Sequence, residues 1–389
     1  MTQTERARRV LDEEFGPAGG PVSVVSAPGR VNLIGGHTDY NDGLVLPMGV
    51  DRRTVVAARP REDRTVAVRS AVFGETASFD LDAVEAAVDG AWSDYVRGVA
   101  DRLQGRGYDL GGAELAVVGG VPMGAGLSSS AAFEVATADA LAAVAGHSPG
   151  GELVDVCWEA ETEFVGLNCG IMDQYAATFA EPDSALFLDC RARDHEVVPV
   201  PAEAVTVVVT NTNVQRDLVE SAYNDRVATC QEGVDYFRDA LGEPVTALRD
   251  VSLAAFRDHE GALPETVRKR VRHVVSENHR VREAADALRA GEFGRVGGLL
   301  NHSHASLRTD YEVSIDELDA AVAIANGLDG VLGSRMTGAG FGGCVVSLVR
   351  SDAVDEVTAA VHEQYLDETG IEPDVYACTP DGGVRRHES

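Results

Sequence analysis

The chain has 389 residues, enough for two or three domains that each bury an ample core, and its 44% hydrophobic content is ordinary for a globular protein. Its 33 Lys and Arg stand against 63 Asp and Glu, and a formal charge of −30 repels nucleic acid and anionic membrane, so neither is expected as a partner. No run of 18 apolar residues is present, the opening MTQTERARRVLDEEF lacks an apolar signal core, and the six cysteines form no CxxC pair. The reading is a soluble cytoplasmic protein with reduced thiols, no obligate protein partner, and an acidic coat suited to a salt-rich cytoplasm.

In chain order, a charged helix is expected at Thr4–Glu14 and a strand at Val22–Ser26. Thr54–Arg59, Thr65–Ser70 and Glu114–Gly119 read as further strands, with a helix near Trp92–Leu103. The stretch Val121–Glu134, VPMGAGLSSSAAFE, breaks regular structure at Pro122, Gly124 and Gly126. A helix then opens, with Phe133, Ala136, Ala140, Leu141 and Val144 on one face. The first N–H groups of a helix lack internal partners and sit at its positive end, so such a loop makes an anion site. Taken alone, it reads equally as a plain turn before a core helix. No GK[ST] follows and Lys269 is the one lysine, so this is not a Walker A loop, and amides, serine hydroxyls, a cation and an arginine would have to meet the phosphate charge.

Glu152–Phe164 reads as a helix with Leu153, Val156, Cys157, Ala160 and Phe164 on one stripe. Glu161, four residues after Cys157, lies on that buried side and needs a cation, an arginine or a metal equally. The pattern loosens near residue 200, which divides the chain into 1–200, expected to bind sugar and phosphate, and 201–389. The second part holds a strand at Val205–Thr210, helices near Glu220–Phe237, Pro264–Ala290 and Ile315–Ala325, and strands at Val345–Leu348 and Val375–Cys378. The overall pattern is α+β, without the regular strand–helix alternation of a doubly wound sheet. Gly338–Gly343 spells G-x-G-x-x-G but leads into a strand, which argues against a dinucleotide loop. A cleft between the two halves is the default site.

Three stretches, in order, carry a family resemblance. Ala27–Pro47, APGRVNLIGGHTDYNDGLVLP, resembles the sugar-binding signature of the GHMP small-molecule kinases, Val121–Glu134 their phosphate loop, and Met336–Cys344, MTGAGFGGC, their third, glycine-rich motif. WSDYVRGV at Trp92–Val99 and CGIMDQY at Cys169–Tyr175 are further matches, and together they resemble the galactose-directed branch of the family. The resemblance implies a two-domain GHMP kinase fold, with an N-terminal half like domain 2 of ribosomal protein S5, a C-terminal half that is ferredoxin-like, and the active site in the cleft between them. It also implies transfer of a phosphoryl group from ATP to the anomeric hydroxyl of a sugar, with Mg²⁺ as cofactor.

By the same resemblance, Asp173 is the catalytic aspartate and Arg30 its partner at the reacting oxygen. Gly124, Ala125, Gly126, Leu127, Ser128, Ser129 and Ser130 would hold the ATP phosphates, and Ser130 with Glu161 would hold Mg²⁺, which prefers oxygen ligands. Gly36, His37, Thr38, Asp39, Gly170 and Tyr223 would line the sugar site. One departure matters: the branch usually reads GEHTDY, and here Gly36 replaces the glutamate thought to hold the C6 hydroxyl. That loss leaves galacturonate, N-acetylgalactosamine and arabinose as rival substrates. A non-catalytic sensor of sugar and ATP is a rival of another class.

Overall fold

The computed structural model describes all residues except 18–19, 86–90, 123, 125, 216–218, 243 and 388–389. Three sheets carry the fold. The first has six strands in the order Arg385–His387, Ser23–Asn32, Pro47–Pro60, Ala113–Gly119, Thr65–Ser70 and Glu75–Asp80. All its pairings are antiparallel except that between Thr65–Ser70 and Ala113–Gly119. The second sheet, antiparallel throughout, runs Val331–Thr337, Gly342–Arg350, Val205–Gln215, Asp374–Cys378. A small third sheet joins Leu44–Val45, Ser184–Asp189 and Asp194–Pro199.

Local sequence explains most of these elements. The N-terminal helix Gln3–Phe15 opens with a reciprocal capping box, in which the Thr2 hydroxyl accepts from the Glu5 N–H and the Glu5 carboxylate accepts from the Thr2 N–H. The strand expected at Val22–Ser26 runs on to Asn32, because the register shifts between Pro28 and Arg30 and pairing resumes. The helix Ser129–Val144 departs from the one-faced expectation. Ala131, Ala132, Val135, Ala136, Ala138 and Ala140 are buried, and so are Glu134, Thr137 and Asp139, which makes it a central helix enclosed on most sides. The helix expected at Glu152–Phe164 is regular only over Leu153–Glu159 and then widens into a π-turn over Ala160–Val165. All six cysteines are free.

What positions the site is the seam between the first and second sheets. Val31, Leu33, Ile34, Leu44 and Leu46 share one apolar cluster with Val205, Val207, Val209, Val281, Leu288, Val346 and Leu348. Polar contacts lock the same seam, because Arg335 Nη1 donates to the carbonyls of Asn32 (3.0 Å) and Leu33 (3.1 Å), and Thr337 Oγ1 donates to that of Asn32 (3.2 Å). The long helix Glu265–Arg289 seals it from below, where Asn278 Oδ1 accepts from the Leu44 N–H at 2.8 Å. Among the described residues no helix is long and apolar enough to cross a membrane.

Candidate active site

The end of strand Ser23–Asn32 meets the glycine-rich loop through backbone. Arg30 N–H donates to the Leu127 carbonyl at 2.9 Å, and a Cβ at Gly29 would lie 2.7 Å from the same oxygen, so only glycine permits this approach. Gly124 (φ 70°) and Gly126 (φ 62°) take left-handed conformations, as does Ser128 (φ 54°) at the start of helix Ser129–Val144. Ser128 makes no capping bond. Its hydroxyl is turned to Asp173 Oδ2 instead, which leaves the first amides of the helix open to an anion. Leu127 is fully buried and anchors the loop, and Ala125 lies outside the described residues.

Asp173 stands in the first turn of the helix Met172–Phe179, whose N-cap is Ile171. Arg30, 5% exposed, grips it with two parallel bonds, Nε to Oδ1 at 2.6 Å and Nη2 to Oδ2 at 2.7 Å, while Nη1 donates to the Gly126 carbonyl at 2.6 Å. A bidentate guanidinium–carboxylate pair of this kind fixes both groups in one plane. One arginine thereby ties the glycine-rich loop to the carboxylate.

Around that pair opens a cavity of about 390 Å³, lined by Gly36, His37, Asp39, Glu161, Gly170 and Tyr223 among others. Burial, and after it the Asp173 carboxylate, pushes Asp39 up to about 6. A Cβ on Gly170 would collide with Asp39 Oδ2, so this glycine makes room for that carboxylate. His37 adopts φ 61°, and its Nδ1 lies 2.9 Å from the Tyr40 hydroxyl, which is 2.6 Å from that of Tyr311. Burial, with the charges of His273 and Arg335 adding to it, pulls His37 down to about 3, so its ring is neutral at pH 7. Tyr223 packs edge-on to Tyr40, with ring centroids 5.0 Å apart. Thr38 departs from the expectation: it is fully buried, and its hydroxyl lies 2.7 Å from the Leu44 carbonyl and 3.0 Å from that of Gly35, so it closes its own loop and does not face the cavity.

Glu161, on the π-turn, accepts from Gln174 Nε2 at 2.5 Å and from Cys169 Sγ at 3.4 Å. Burial and the nearby Asp173 raise its pKa, against hydrogen bonds from Cys169, Ser130 and Gln174. Gln174 Nε2 also reaches Glu134, a fully buried acid whose Oε1 has no hydrogen-bond partner and whose pKa burial pushes well up. Among the described residues no group of three or more His, Cys, Asp or Glu could hold a metal unaided. The excess of buried carboxylate beside the Ser130 hydroxyl nevertheless fits a small hard cation that takes its remaining ligands from water and phosphate.

Two features have no counterpart among the expectations from sequence. One is an apolar cleft of about 200 Å³ on the other side of Ser129 and Ser130, walled by Val72, Phe73, Trp92, Tyr95, Val121 and Phe133. Phe73 and Trp92 stack with centroids 5.6 Å apart and planes 17° from parallel. Trp92 and Tyr95 lie more than 30 residues before Ser129, so only the fold brings them to Phe133 and the serines. The other is the pair Glu134 and Gln174, each within a quoted motif and invisible as partners until folded. Gly338 and Ala339 of the third motif reach the larger cavity, and Thr337–Gly343 lines a separate cleft with Gly124 and Gly126.

The helix start at Ser129, the carboxylate–guanidinium pair beside it and much of the lining of the cavities on either side lie within stretches that match known small-molecule kinases. Residues 94–181 match the GHMP kinases N terminal domain and residues 284–367 the GHMP kinases C terminal domain, while residues 11–60 match the galactokinase galactose-binding signature. A galactokinase of Roseiflexus sp. (strain RS-1) is 45% identical over 387 residues, 99% of this chain and 98% of that protein. The crystal structure of Lactococcus lactis galactokinase complexed with galactose superposes with a TM-score of 0.92 at 39% identity, covering 97% of this chain and 98% of that one. The Methanococcus jannaschii mevalonate kinase shares the fold alone, at 15% identity and TM-score 0.66, over 93% of this chain and 99% of its own. The chain belongs to the galactokinase family.

Proposed function

We propose that this enzyme transfers the γ-phosphoryl group of ATP to the anomeric hydroxyl of α-D-galactose, giving α-D-galactose 1-phosphate and ADP with no covalent enzyme intermediate. The observation that carries this reading is the Arg30–Asp173 pair, set where the glycine-rich loop meets the cavity that holds Asp39. Galactose is supported over galacturonate, N-acetylgalactosamine and arabinose by the two galactokinase relatives, despite Gly36. A sensor without catalysis would have no need of this pair.

Asp173 accepts or orients the proton of the anomeric hydroxyl as its oxygen attacks phosphorus, and Arg30 stabilises the negative charge that develops there. Asp39 accepts from two ring hydroxyls and His37, neutral, donates or accepts one more, while Tyr223 walls the sugar. Ser128 keeps the phosphate loop in register with Asp173, so the donor and acceptor sites share one frame. The apolar cleft at Phe73, Trp92, Tyr95 and Phe133 takes the adenine by stacking, and the amides from Ser129 onward with the Ser129 and Ser130 hydroxyls take the phosphates. Ser130 and Glu161 would hold Mg²⁺, which when bound would supply positive charge for the phosphate oxygens. The acidic coat and the composition support a salt-rich cytoplasm as the working compartment.

Asp173→Asn tests the assignment. It keeps the shape and the sugar contacts, so galactose and ATP still bind by calorimetry, while turnover falls about 10²- to 10⁴-fold. Near-normal turnover would remove Asp173 from the chemistry.

A further inference from the structure

The sugar signature is held from beneath by charged groups of the second half of the chain. Glu277, on the helix Glu265–Arg289, is fully buried, and its Oε1 accepts from the amides of Gly35 (3.0 Å) and Gly36 (3.3 Å) and from Ser303 Oγ (2.5 Å). Its Oε2 accepts from Arg280 Nε at 2.6 Å. One turn earlier, His273 Nε2 donates to the Gly36 carbonyl at 2.9 Å while its Nδ1 meets Ser306 Oγ at 2.9 Å. Asn32 Nδ2 and Thr38 Oγ1 both donate to the Gly35 carbonyl at 3.0 Å. Both peptide groups leading into His37 are therefore pinned by buried side chains.

The glycine at 36 belongs to the same arrangement. A Cβ there would lie 2.5 Å from Arg335 Nη2 and 3.3 Å from Leu307 Cδ2, and Arg335 is itself anchored to the Asn32 and Leu33 carbonyls. With no side chain of its own at this position, the loop takes its conformation from the carboxylate and imidazole below it. The left-handed His37 and then Asp39 follow directly.

We propose that Glu277, with His273 beside it, is a positioning residue for sugar binding: from the second half of the chain, and without touching substrate, it sets the Gly35–Gly36 peptides so that His37 and Asp39 face the sugar. The proposal rests on the sugar-kinase reading above, and its test separates the two. In Glu277→Gln, hydrogen exchange of the peptide 33–43 speeds up while the peptide 121–134 stays as protected as in the parent. The KM for galactose rises about tenfold or more, with the KM for ATP and kcat each within about threefold. Ser303→Ala, which removes a single donor to Oε1, shifts the same quantities in the same direction by less, and serves if Glu277→Gln does not fold. His273→Gln, which keeps an N–H donor, stays nearer the parent than His273→Leu.

Unchanged exchange at 33–43, or a looser loop with an unchanged sugar KM, would overturn the proposal. So would a fall in kcat with both KM values intact. A parent enzyme inert toward galactose would count against the functional reading, while the exchange experiment, which needs no substrate, would still decide whether Glu277 sets the loop.

Discussion

Asp39 is the residue whose chemistry is most exposed to solution conditions. Its carboxyl, ordinarily near 3.8, is pushed up to about 6 by burial and by Asp173, so below that pH the folded protein holds a proton that a free carboxyl would have released. The ionised form accepts a charge-assisted hydroxyl hydrogen at each oxygen, whereas protonation removes the charge and turns one oxygen into a donor. The KM for galactose is therefore expected to be flat above pH 7 and to rise about tenfold per unit once the pH falls below 6, with the KM for ATP unmoved. A sugar KM independent of pH between 7.5 and 5 would contradict the role given to Asp39. The same raised pKa makes Asp39 a cost to stability above pH 4 that is complete above about 6.

At the scale of elements, the glycine-rich loop, the strand end at Arg30 and the helix start at Ser129 form one unit, joined by the Leu127 carbonyl and the Arg30 guanidinium. The aromatic cleft beyond it is a separate unit. Trp92→Ala removes the stacked face opposite Phe73 and is expected to raise the KM for ATP about tenfold, leaving the sugar KM within a factor of two. An equal rise in both would mean that the substitution disturbs the loop rather than the base site. Glycine, serine and proline punctuation made the turn before helix Ser129–Val144 legible, while the family resemblance, not the local pattern, singled it out as a phosphate loop and Ala27–Pro47 as a sugar signature. Asp173, Arg30, Glu161 and Ser130 were picked out by the family resemblance, and burial alone gave only that Glu161 needs a cation. What the sequence concealed was pairing over long separations. Glu277 under Gly35, Gln174 between two acids, and Gly170 making room for Asp39 depend on which helix packs beneath which loop, and no local period carries that information. The Thr38 hydroxyl turns inward to the Leu44 carbonyl, which the signature does not show, because a motif names the residues near a ligand and not the direction each one faces.

For the whole molecule, the formal charge of −30 is spread over a surface whose ion pairs are mostly partly exposed and individually weak. Self-repulsion at low ionic strength then opposes the compact state, and screening relieves it. The melting temperature is expected to rise by on the order of 5 °C between about 0.1 M and about 2 M salt, with activity rising alongside. A protein equally stable and active in dilute buffer would contradict a halophilic reading of the coat. Galactose phosphorylation in a pocket without the usual glutamate is tested by kcat/KM for ADP release with Mg-ATP in high salt against galactose, glucose, galacturonate, N-acetylgalactosamine and arabinose. Galactose is expected ahead of every other sugar by at least about tenfold. A higher value for any of the others would contradict it and make Gly36 the switch that redirected the pocket.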